Sequence, residues 1–150
     1  MNNLQSTYRE NVMTLQDAVS RLPGAMFGDC FPLKHSFADG LYVREIFIPK
    51  KNLIISKIHK FSHPCFMLKG DISVLSENGV KRFSQPSFFI SPSGAKRVGY
   101  AHEDTWWITI HKTEETDLDK IEKDVIVDSF DKLTKEENDF IDILNNEVSV

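Results

Sequence analysis

Along the first quarter of the chain the apolar residues recur at helical spacing. Leu4, Tyr8, Val12, Leu15, Val19 and Leu22 fall three or four positions apart, which predicts an amphipathic helix over Leu4–Leu22, stopped by Pro23-Gly24. Six apolar side chains on one stripe imply docking against the body of the protein or a second subunit. From Ala25 to Gly40 the periodicity is lost, and the stretch reads as irregular, with His35 in a loop.

From Leu41 the pattern changes to short β-rich runs. Leu41–Ile48 ends at Pro49, and Asn52–His59 follows as a second strand. Phe66–Leu75 is apolar on both sides of Gly70, so it reads as two strands or one bent strand. Asn78-Gly79 is the strongest hairpin signal, since both residues tolerate positive φ. Ser87–Ile90, Arg97–Ala101 and Trp106–His111 complete seven or eight closely spaced strands, the last two separated by a polar corner at His102-Glu103-Asp104. Such a run predicts an antiparallel barrel or jelly roll. After Thr113 helical spacing returns over 117–127 and 134–145, where Thr134 and Glu137 form a capping box ahead of Phe140, Ile141 and Leu144. The reading is one domain: helix and loop over 1–40, β-barrel over 41–112, and helical tail over 113–150.

Composition adds little to that picture, but it bounds the function. At 150 residues, 41% hydrophobic and 27% charged, the chain can bury about two-thirds of its extended surface without a disulfide staple. Cys30 and Cys65 are isolated and are expected as buried thiols. No apolar run is long enough for a membrane span, and the N-terminus lacks a signal-peptide pattern, so a cytoplasmic location is expected. Net charge is uneven, +5 over residues 1–112 and −9 over 113–150. A mildly basic body argues against nucleic acid as partner, and the acidic tail reads as a solvated surface or a shield for a basic face. Trp106 and Trp107 alternate faces, one for the core and one for a helix or partner. No phosphate loop, nucleophile elbow or HExxH is present.

Two stretches carry a resemblance. Over Lys51–Gly70, His59 and Gly70 stand where the first cupin motif (Gly, five residues, His-x-His, three or four residues, Glu, six residues, Gly) has its second His and closing Gly. Lys51, Lys57 and His63 replace its opening Gly, first His and Glu. Over Pro86–Ala101, Pro92 and Gly94 match the second motif (Gly, five residues, Pro-x-Gly, two residues, His, three residues, Asn), while Pro86, Arg97 and Ala101 replace its Gly, His and Asn. Residues 41–112 therefore resemble the cupin superfamily, with every substitution in register. The stretches Lys96–Asp104 and Trp107–His111 are also similar to small cupin-like proteins encoded by bacteriophages, which would place the chain in a host cytoplasm.

The resemblance implies a polar set at the barrel mouth: Lys57, His59, His63 and Arg97. Relative to a three-His, one-Glu site, two added cations shift the pocket toward small anions such as carboxylates or phosphates, for which Arg is suited. This is the leading expectation. The alternative is a metal-dependent cupin enzyme of dioxygenase or isomerase type, with zinc, iron or nickel on His59 and His63; a third ligand would come from His102, His111 or Cys65, with His102 put forward. A third possibility is a phage structural or host-interaction protein. A homodimer is what the resemblance implies for quaternary structure.

Overall fold

The computed structural model describes residues 3–133. The helix expected over 134–145, with its capping box, lies outside the described residues. An N-terminal helix α1 (Asn3–Ser20) precedes strands β1 (Leu33–Ala38), β2 (Leu41–Ile48), β3 (Leu53–Ile55), β4 (Ile58–His59), β5 (His63–Ser76), β6 (Gly79–Phe83), β7 (Ser87–Ser91) and β8 (Val98–Lys112). Helix α2 (Leu118–Val125) and a short strand β9 (Ile126–Val127) follow.

All ladders are antiparallel. The two long strands organise them, because each serves two leaves of sheet. The C-terminal half of β8 pairs with β2 and with the start of β5, which in turn pairs with β7. The N-terminal half of β8 pairs with β3 and with the end of β5, which pairs with β6. The core fills the space between the leaves, with Ile46, Ile48, Met67 and Trp107 from one and Ile72, Val74, Phe83 and Ala101 from the other. Among the described residues the hydrogen-bonded path is open at β1, β3, β6 and β7. The mainly β, antiparallel jelly-roll class and the N-terminal helix match the expectation.

The bend lies at Gly70. Its φ is 128°, the β5–β8 register shifts on either side of it, and a Cβ there would sit 2.4 Å from Thr105 Oγ1 and 2.6 Å from the Asp104 carbonyl. Only glycine allows the two strands to approach this closely. At the other hairpin, Ser76 pairs with Gly79, and Gly79 alone of the turn residues takes positive φ, at 99°. The turn is centred on Glu77-Asn78, with glycine in the bulge position that follows.

Several local expectations are corrected. Residues 33–38 form β1, because they pair along β2, so His35 is a strand residue rather than a loop residue. The sequence His102-Glu103-Asp104 is no corner; β8 runs through it unbroken, its polar side chains paired to β5 and solvent. Cys30 is exposed, since it precedes β1 on the surface, while Cys65 is buried. Trp107 packs in the core and Trp106 meets Phe47 outside it, the rings tilted by 50°. No helix among the described residues is long and apolar enough to cross a membrane.

Candidate metal centre

Three imidazoles converge where the first leaf meets β4. His63 opens β5 and His111 lies near the end of β8. The β5–β8 register matches Cys65 with Thr109, so one step of two residues along each strand sets His63 and His111 on the same inward face. His59 comes from β4, which is locked to the loop between β7 and β8 by two backbone bonds: its N–H donates to the Ala95 carbonyl at 3.1 Å, and its carbonyl accepts from Gly94 N–H at 2.7 Å. Ring centroids are 4.5 Å apart for His59–His63, 4.7 Å for His63–His111 and 5.6 Å for His59–His111, the last pair parallel within 5°. Their ligating nitrogens all lie within 4.8 Å of one another.

The surroundings keep these rings neutral. His63 and His111 are 4% and 6% exposed, and His59 is half-buried against them. Burial is the main cause that pushes all three below the usual histidine range, His111 to about 3; repulsion from neighbouring rings adds to it at His59 and His111, Arg97 or Arg44 adds at each, and at His63 the Phe61 hydrogen bond works against it. A neutral ring is the form that binds a metal. His63 Nδ1 donates to the Phe61 carbonyl at 3.1 Å, which leaves the Nε2 lone pair free. His111 Nε2 is hydrogen-bonded to Thr109 Oγ1 at 3.0 Å. Such outer contacts fix ring orientation around a metal. Burial raises the neighbouring Cys65 thiol to about 11, so it remains protonated beside the trio. A pocket of about 310 Å³ lined by Phe61, Ser62, His111, Lys112 and Val125 opens onto the cluster.

The other residues singled out in the sequence are distributed differently. His102 Nε2 is 2.7 Å from Ser73 Oγ, nine positions before His111 on the same strand and roughly 30 Å from it by strand rise. It is too far to join His59 and His63. Lys57 precedes β4, so strand alternation does not govern it; it is exposed and ion-paired with Glu122 of α2. The charge of Lys57 is therefore balanced outside the cluster, and the expected pocket with two unpaired cations is not formed. Arg97 is half-buried over the Phe89 ring, 5.1 Å from its centroid, with Nη2 3.3 Å from Ser91 Oγ. Its Nε is buried without a hydrogen-bond partner. His111 lay outside both sequence motifs, and the signal that marks it is the inward alternation Thr105, Trp107, Thr109, His111 along β8.

The bent two-leaf sheet is a cupin-type fold. The chain superposes on KdgF from Halomonas sp. with a TM-score of 0.50 at 16% identity, covering 65% of this chain and 93% of that one. It superposes equally on a salicylate 1,2-dioxygenase variant from Pseudoaminobacter salicylatoxidans, with a TM-score of 0.50 at 12% identity. There it covers 70% of this chain and spans only 32% of the dioxygenase. A cupin-2 domain containing protein from Shewanella frigidimarina NCIMB 400 is a weaker likeness, with a TM-score of 0.46 at 8% identity over 66% of this chain and 92% of that one. No family model matches the chain, and no curated protein matches it in sequence. At these identities the likeness concerns the fold alone.

Proposed function

We propose that the chain is a cupin-fold metalloprotein that holds one divalent transition-metal ion on His59, His63 and His111. The observation that carries this reading is the close approach of three imidazoles whose burial keeps them neutral, with ligating nitrogens within 4.8 Å of one another. Three protein ligands without a fourth is the arrangement of catalytic rather than structural zinc, because it leaves a position open to water or substrate. The all-nitrogen set suits zinc, iron, nickel or copper. A bound ion would supply Lewis acidity and a more acidic water. The chain's own residues orient the ligands, through the Phe61 carbonyl on His63 and the Thr109 hydroxyl on His111, and exclude bulk solvent from one side.

An anionic ligand fits this reading in a narrower form. With Lys57 paired to Glu122 and Arg44 to Asp29, Arg97 flanks the cluster with a buried Nε that lacks a hydrogen-bond partner. A carboxylate beside the ion would satisfy it.

Titration calorimetry of the untagged, metal-stripped protein with Zn²⁺, Ni²⁺ and Fe²⁺ tests the proposal. One ion per chain at micromolar affinity or tighter is expected. His63→Ala and His111→Ala should each abolish it, whereas His102→Ala should leave it intact. Equal binding by the His59→Ala/His63→Ala/His111→Ala variant would exclude the site.

A further inference from the structure

Two of the three histidines are backed by one later excursion of the chain. Helix α2 and strand β9 follow the last long strand and lie beyond residues 41–112, the stretch that resembles the cupin motifs. Strand β9 sets Ile126 opposite His59 and Val127 opposite Ile58, in a two-stranded sheet separate from the main one. The His59 main chain is already bonded to Gly94 and Ala95, so its neighbour makes the link: Lys60 N–H donates to the Val125 carbonyl at 2.8 Å. Helix α2 reaches His111 through Tyr42. Ile121 and Val125 are 2% and 8% exposed and pack on Tyr42, whose ring stacks on that of His111 with centroids 5.9 Å apart. Val125 also lines the pocket that opens onto the cluster. Among the described residues this packing forms a cluster of its own, sharing no buried side chain with the main core. A segment with its own small apolar cluster and a ladder two residues long is the kind that opens while the rest stays folded.

We propose that α2–β9 is a clamp on the metal site, so that His59, His63 and His111 hold an ion together only while this segment is docked. The proposal rests on the metal reading above and adds a moving part to it. His63 and the backbone of His111 belong to the main sheet and keep their places whether the segment is docked or not. His59 sits on a strand of two residues that loses one of its two edges when β9 leaves. The same movement strips the apolar cover from Tyr42 and takes Val125 out of the pocket wall, which opens a path for the ion. Lys57 and Glu122 pair across the same joint, but both are solvent-exposed, so the apolar packing carries the docking. Coupling of this kind is reciprocal: docking completes the ligand set, and the bound ion holds the segment down by the same factor.

Hydrogen exchange of the full chain, followed residue by residue by NMR with and without saturating Zn²⁺, is the test. Without metal, the amides of Lys60, Ile121 and Ile126, whose bonds hold the segment, should exchange about tenfold faster or more than those of the β5–β8 ladder. Zn²⁺ at a hundred times its dissociation constant should slow them by about tenfold or more, toward the roughly hundredfold limit for an open segment that releases the ion. Ile121→Ala removes packing one layer behind the ligands. It should speed release of Zn²⁺ to excess chelator by about tenfold or more, in step with faster exchange in α2. Zn²⁺ binding that leaves the three amides unchanged would overturn the clamp and leave the metal site standing. Release from Ile121→Ala at the wild-type rate would do the same, as would equal exchange of segment and main sheet in the metal-free protein. The wild-type measurement does not depend on that variant folding. A chain that takes up none of Zn²⁺, Ni²⁺ and Fe²⁺ would overturn both readings.

Discussion

Burial of His63 and His111 decides both what their rings can bind and how the fold responds to acid. In the unfolded chain each titrates near 6.5; in the folded chain both are held lower, His111 at about 3. Above the unfolded value neither state carries the proton, and the full stability is present. As pH falls through 6.5 the unfolded chain takes up protons that the folded chain refuses, so stability declines, approaching about 1.4 kcal/mol per pH unit for His111, with His63 acting in the same direction. Urea denaturation of the metal-free protein between pH 7.5 and 5 should show this slope, and His111→Gln should flatten it by about one group. A midpoint that does not move across that range would contradict the buried neutral state. Metal binding should weaken over the same interval, because ion and proton compete for the same lone pairs. The cluster was only partly legible at this scale. His59 and His63 stand in the resemblance to the first motif, while Lys57 stood there as well and points away, because the β4 strand that would orient it begins one residue later.

The elements show why periodicity located structure better than it located faces. Helix α1 forms where the apolar spacing predicted it, over Asn3–Ser20, yet the side it buries is Gln5, Arg9 and Val12, while Leu4 is 78% exposed. Specific polar anchoring outweighs the apolar stripe: Tyr8 Oη is 2.6 Å from the Lys96 carbonyl and 3.2 Å from that of Leu75, and buried Lys96 Nζ donates to Gln16 Oε1 at 2.6 Å. Tyr8→Phe is therefore expected to lower stability by about 1 kcal/mol, measurable by denaturant midpoint, with the helix still docked. Leu4→Ser, on the exposed side, should stay within about 0.5 kcal/mol. At the bend of β5, Gly70→Ala should cost about 3 kcal/mol or more, since it combines a positive φ with contact on backbone atoms of Thr105 that cannot yield. Thermal melting would register it, and a wild-type Tm would show that the two strands can separate there. Helix α2, by contrast, follows its sequence closely. Asp117 caps it by accepting from Asp119 and Lys120 N–H groups, and Ile121 and Val125 one turn apart pack on Tyr42.

For the whole molecule, the histidine cluster ties the neighbouring β4 and start of β5 to the end of β8, which is distant from both in sequence. An ion bound to the folded chain alone should therefore stabilise all of it. At a hundred times its dissociation constant it would add about 2.7 kcal/mol, or roughly 5–10 °C in Tm. Differential scanning calorimetry with and without Zn²⁺ would measure this, and the shift should vanish in His63→Ala. A wild-type Tm indifferent to every metal tried would argue that the cluster serves packing only.

The sequence by itself determined the β-rich centre, the helix ahead of it, a hairpin at Asn78-Gly79 and an interruption at Gly70, because each depends on local spacing or on a conformation that one residue type permits. It also placed His59 and His63 near each other, since four residues separate them. What it left undecided depends on pairing between distant strands. Continuing strand β8 through His102–Asp104 requires the ladder from β5, and that same ladder carries His102 to one end and His111 to the other. Residues 33–38 become a strand only because β2 offers them an edge. The third histidine and the neutral state of the cluster both follow from those long-range registers, which fix what each side chain faces and how much water it keeps.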